Sequence, residues 1–138
     1  RIILLTGDAA RATFLPIPPD LEARLRAAER TIAGAGYWGG GTTDLHLGRR
    51  LYALARTLPV RVVEARTVVW ERTAPLRDVE HRYLHSATAW LTDPGVRPWL
   101  GDDWDRCCDL FAPDSGEGLL LRPDLHVVET ATAVILTV

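Results

Sequence analysis

The chain has 138 residues and a mass of 15.3 kDa, enough for one ordinary core. Its 16 basic and 18 acidic residues leave a formal net charge of -2, with the arginines spread along the whole chain. That distribution excludes the concentrated basic stripe of a nucleic-acid binder. No apolar run approaches the ~20 residues that span a bilayer, and Arg1 to Leu5 is too short for a signal-peptide core; no membrane partner is expected, and the expected setting is the cytoplasm. All the basic residues are Arg, and Lys, Asn, Gln and Met do not occur, a usage that marks a high-GC genome more than a function. With no Met to initiate translation and Arg1 a poor neighbour for its removal, a portion preceding Arg1 is expected. Cys107 and Cys108 are adjacent, where a disulfide would be strained, so two buried free thiols in a reducing cytoplasm are expected.

In chain order, Ile2-Ile3-Leu4-Leu5 is a continuous apolar run ending at Thr6-Gly7-Asp8, as in a parallel strand buried on both faces. Phe14 to Pro19 is a proline-stiffened connector. From Asp20 to Ala33 the spacing of Leu21, Leu25, Ala28 and Ile32 predicts an amphipathic helix, stopped by Gly34 and Gly36. A glycine-rich loop over Gly34 to Thr43 carries Tyr37 and Trp38, and Thr43 or Asp44 can cap the next helix. That helix, to Leu58, has the stripe Leu47, Leu51, Leu54 and Leu58, and Pro59 ends it. Val60 to Trp70 is β-branched and strand-like. Arg77 to Leu91 reads as a helix, Pro94, Gly95 and Pro98 as breaks, Asp102 to Phe111 as a short helix, and Ala112 to Gly118 as turns. His126 to Val138 is apolar or small on both parities and suits an interior strand. Three strands alone would leave a raw edge and uncovered faces, so the pattern reads as one end of a larger sheet.

The run RIILLTGD, the proline-led helix, the segment D-L-H-L-G-R-R-L-Y-A-L (Asp44 to Leu54) and VRVVEARTVV together resemble class I S-adenosylmethionine-dependent methyltransferases of bacterial small-molecule metabolism, over essentially the whole chain. The resemblance implies an α/β fold, the C-terminal part of a Rossmann-like methyltransferase sheet. In it a helical insertion, here about 71–118, precedes a final strand that returns antiparallel between the previous two. It implies S-adenosylmethionine as cofactor, held by a glycine-rich turn after the family's first strand and an acidic residue after its second. Neither strand is present, so the cofactor is expected on an N-terminal half, on the same chain or a partner subunit, with no cofactor-binding residue here. Gly34-Ala35-Gly36-Tyr37-Trp38-Gly39 matches G-x-G-x-x-G in letters, but it follows a helix where the fingerprint must follow a strand.

In an open α/β sheet ligands bind outside the carboxyl ends of the parallel strands. The first strand rises to Asp8, so the connection through Tyr37 and Trp38 and the excursion over Glu71 to Gly118 both start on that side. Together they can wall a pocket for a small-molecule acceptor. His46, at the start of the descending helix, reads first as a surface or capping residue and is the candidate general base for an acceptor hydroxyl or amine, since imidazole titrates near neutrality. Asp8, Tyr37, Trp38, Arg49, Tyr83 and His85 are the candidate substrate-binding residues. Arg49 and Arg50 can meet a carboxylate or solvent. His81 and His85 share a helix face at a metal-pair spacing, but no third ligand is evident. Tyr83, Trp90, Trp99 and Trp104 form either an aromatic wall or the core of the excursion. Ser86 and Ser115 lie in no nucleophile-elbow pattern, which sets serine chemistry aside. Besides the acceptor-binding half of a methyltransferase, a non-catalytic scaffold subunit and a natural-product cyclase on the same scaffold fit these features.

Overall fold

The computed structural model describes residues 2–7, 12–39, 45–112, 116 and 118–137; for Arg49, Val62 and Val63 only the backbone is described. The elements are β1 (Ile2–Gly7), β2 (Thr13–Leu15), α1 (Pro19–Gly34), α2 (Leu47–Arg56), β3 (Arg61–Thr73), α3 (Asp78–Thr88), α4 (Arg97–Leu100), α5 (Trp104–Phe111) and β4 (His126–Thr137). Single 3-10 turns at Ala89–Thr92, Pro94–Val96, Gly101–Asp103 and Leu119–Leu121 join the later helices. No helix among the described residues is long and apolar enough to cross a membrane.

This is a mixed α/β fold with a small open antiparallel sheet, in which β4 pairs with β1, β2 and β3. β1 runs antiparallel to β4, from Ile2 opposite Leu136 to Gly7 opposite Ala131. On β3, Thr67 shares a hydroxyl contact with Thr132 at 3.2 Å, and just beyond its end the Ala74 N–H donates to the Leu125 carbonyl at 3.0 Å. Advancing along β3 thus retreats along β4 in constant register, the signature of an antiparallel pair. The last strand therefore lies between β1 and β3, which run parallel to each other.

The chain divides into two compact units, one of Arg1–Thr13, Thr43–Glu71 and Val127–Val138, the other of Phe14–Thr42 and Arg72–His126. In the first, α2 packs on β1, and Ala55, Val134 and Leu136 form a small core with Leu4, Leu51 and Val60 against it. The α2 stripe expected to be buried is only partly so. Ala55 and Gly48 face inward, Leu51 is half-buried, and Leu47, Leu54 and Leu58 are exposed. The helix is rolled toward the small residues because these allow close approach to β1, which leaves the larger leucines outside. β1 also keeps Ile3 at 67% and Leu5 at 65% exposure. Along β4 the buried side chains change parity, from Val127 and Ala131 to Val134 and Leu136, so the strand needs apolar residues on both faces, as its composition does.

The second unit holds the larger core. From α1 it takes Leu21, Leu25, Ile32 and Ala33, and from the helical stretch Leu84, Leu91, Val96, Leu100, Cys107, Phe111, Leu119, Leu120 and Leu125. Each fully buried Leu or Ile is worth about 1.5–3 kcal/mol of transfer free energy. Pro19 opens α1 at its first turn, where a missing N–H costs nothing, and the Pro18 carbonyl accepts from Glu22 N–H at 3.0 Å. Glu80 caps α3: one carboxylate oxygen accepts from the Arg77 backbone N–H at 3.0 Å and the other from its guanidinium at 2.7 Å. The helix predicted over Arg77 to Leu91 closes earlier, and Ala89–Thr92 tightens to a 3-10 turn as Thr88 returns its hydroxyl to the Leu84 carbonyl at 2.9 Å. Helix α4 contains Pro98, read from the sequence as a break; in a first turn a proline is tolerated.

Candidate functional site

The glycine run of the second unit turns out to be a helix stop. Gly36, at φ 73°, sits two residues beyond the end of α1, its N–H donating to the Ala33 carbonyl at 3.2 Å and that of Tyr37 to Ile32 at 3.4 Å. This is the Schellman arrangement, which needs a residue in the left-handed region and so favours glycine. Ala35 N–H donates to Thr31 and Gly39 N–H to Gly36. These amides are already engaged with carbonyl oxygens at the negative end of a helix, so the run does not fit a nucleotide-like cofactor. The described residues offer no glycine turn between a strand and a helix to replace it.

The stop throws Tyr37 and Trp38 onto the helical excursion. Tyr37 packs edge-to-face on Trp99, with ring centroids 5.6 Å apart, and Trp38 on Trp90 at 5.5 Å; Tyr37 and Trp38 meet each other at 6.5 Å. Such pairs contribute about 0.5–1.5 kcal/mol beyond burial and fix ring orientation. The Tyr37 hydroxyl is hydrogen-bonded to the Asp93 carboxylate, and that bond raises the phenol above its ordinary pKa. Asp93 in turn accepts from Gly95 N–H at 2.8 Å, closing the turn that leads into α4. Tyr37, Trp38 and Trp99 remain about a third exposed.

The aromatic group differs in membership from the expected wall. Trp90 and Trp99 belong to it. Tyr83 instead stands exposed on α3 with the Arg72 guanidinium 5.1 Å from its ring centroid, and Trp104 starts α5, half-buried. Helical phase decides this, because the turn of α3 that buries Leu84 directs its neighbour Tyr83 outward.

Beside Trp99 lies a groove of about 330 Å3 between α1 and α4. Leu25 and Leu100, both buried, floor it, Ala27, Ala28 and Thr31 line the α1 side, and Trp99 walls the other. At one end Arg24 grips Asp103 through two hydrogen bonds of 2.7 and 3.0 Å, and reaches Asp20 at 3.0 Å. The guanidinium holds both carboxylates below their ordinary pKa. Arg24 and Asp103 are far apart in sequence, so this site had no local signal.

The remaining predicted residues are dispersed. His46 belongs to the first unit, where it is the N-cap residue of α2, half-buried, with its Nδ1 edge covered and its carbonyl accepting from Arg50 N–H at 3.3 Å. His81 and His85 are half-buried on α3, and no group of three metal-ligating side chains forms among the described residues. Asp8, with the caps Thr43 and Asp44, lies outside the described residues, as does the side chain of Arg49. Cys107 and Cys108 are free, but only Cys107 is buried as expected, Cys108 being half-buried one position round α5; burial pushes the Cys107 thiol up to about 12, which makes it a packing group rather than a nucleophile.

Comparisons of the chain with protein-family models, with curated proteins and with solved structures find no match.

Proposed function

We propose that this chain is the acceptor-binding part of an S-adenosylmethionine-dependent small-molecule methyltransferase, with the cofactor carried by an N-terminal half on the same polypeptide or on a partner subunit. The observation that carries the reading is strand order: two strands parallel to each other, with the last strand antiparallel between them. The uncharged β1, with Ile3 and Leu5 exposed, supports it as well, since such an edge calls for a neighbour.

In this division of labour the residues of this chain bind and orient the acceptor and keep water from it. The candidate acceptor contacts are Asp8, Tyr37, Trp38, Arg49, Tyr83 and His85, and the candidate base for the acceptor hydroxyl or amine is His46. The class of chemistry attributed to the cofactor is methyl donation from an activated sulfonium.

Two calorimetric titrations test the reading. S-adenosylmethionine titrated into the isolated chain is expected to give no micromolar binding. Titrated into the chain assembled with its other half it is expected to bind. Micromolar binding by the isolated chain overturns the division, and silence in the assembly overturns the methyltransferase.

A further inference from the structure

We infer that the groove between α1 and α4 is a binding site for a neutral, planar, one- or two-ring compound bearing a hydroxyl or amine donor. As the acceptor class of a methyltransferase this rests on the function proposed above; as a binding site it stands on the groove alone.

Size comes first. About 330 Å3 is at the small end of ligand pockets, which limits the ligand to one or two rings. Shape follows from the walls. Trp99 is held from the side by the edge-to-face contact with Tyr37, so it meets a ligand already oriented and loses little freedom on binding. On the α1 side Ala27 and Ala28 present only methyl groups, so the groove leaves room for a ring beside the Trp99 indole.

Charge and hydrogen bonding set the rest. Arg24 is committed to two carboxylates, so an incoming anion gains no free cation and meets Asp20 and Asp103. The lining offers acceptors beside the remaining Arg24 N–H groups and the Trp99 indole N–H. The Thr31 hydroxyl donates to the Ala27 carbonyl at 3.1 Å and keeps its lone pairs, and each Asp103 oxygen can take a second donor. A phenol or aryl amine matches that set, and those are also groups a methyltransferase can alkylate.

The probe is 2-naphthol, titrated calorimetrically into the full chain. We expect binding that weakens tenfold or more in Trp99→Ala and in Ala28→Leu, which fills the groove, and naphthalene-2-carboxylate binding at least tenfold more weakly than 2-naphthol. Ala28 is half-buried and leucine is a good helix former, so this variant keeps the fold; Thr31→Leu, at an exposed position, obstructs the same groove if it does not. Absence of 2-naphthol binding, equal affinity in both groove-filling variants, or a preference for the carboxylate overturns the site. Ring binding without cofactor binding by the assembly keeps the groove and removes the methyltransferase; the reverse pattern keeps the methyltransferase and removes the groove.

Discussion

The hydroxyl of Tyr37 fills the space that a side chain at Gly95 would need: a Cβ built there collides with it and lies 3.1 Å from an Asp93 carboxylate oxygen. Glycine at 95 is thus a condition for the aromatic strap to seat on the excursion. Gly95→Ala should lower stability by about 1 kcal/mol, since the ring must shift against Trp99. In a Tyr37→Phe background the same change should cost less, because the colliding atom is gone. Thermal unfolding of the four proteins gives the coupling, and strict additivity would refute the contact.

A second expectation concerns Thr130 on β4, whose hydroxyl is buried and finds no hydrogen-bond partner among the described residues. An unsatisfied hydroxyl carries a desolvation cost that valine, of the same shape, does not. Thr130→Val should leave stability unchanged or raise it by up to about 1 kcal/mol in urea denaturation. A clear loss would mean that the hydroxyl has a partner.

Acid should loosen the second unit at two places. Glu80 is held down to about 2 by the Arg77 guanidinium and backbone N–H, and Asp103 is lowered by Arg24. A carboxylate depressed on folding stabilises above its unfolded pKa, near 4, and loses that contribution as pH falls toward the folded value. The sign is therefore stability falling from about pH 4 toward pH 2. Glu80→Gln should flatten that part of the curve, measured as Tm against pH.

The edge strand gives a fourth expectation. Leu5→Lys replaces a side chain that is 65% exposed, so it should change the unfolding free energy of the isolated chain little, within about 0.5 kcal/mol. It should nevertheless abolish assembly with the other half, because a charge on β1 blocks strand addition. Hydrogen exchange of the β1 amides that point away from β4 should be fast in the chain alone and protected in the assembly. Fast exchange in both would refute a strand neighbour.

Within the proposed active site, His46→Ala should reduce turnover about a hundredfold while changing Tm little. Loss of stability with unchanged turnover would return His46 to a capping role.

Patterns confined to one element were legible in the sequence. The spacing of Leu21, Leu25 and Ile32 identifies α1 because all three enter one core, and the apolar character of β4 on both parities matches a strand whose buried face changes along its length. What failed depended on neighbours. The α2 leucines satisfy a helical stripe wherever they point, and only β1 selects the side with Ala55. β2 is three residues inside a proline-rich run and exists through pairing with β4. The groove is tied at one end by Arg24 and Asp103, and nothing near either residue announces the other.

The strand at the centre of the sheet is also made after every other element described. Ala131 follows its partner Gly7 by 124 positions, which at 5–20 residues per second is roughly 6–25 s of synthesis. Through that interval Ile2 to Gly7 is an uncharged β-prone hexapeptide whose partner β4 has not yet been made. Yield in cells should then track how well nascent chains are shielded, through chaperone supply or slower growth temperature, more closely than it tracks the equilibrium stability of the finished fold.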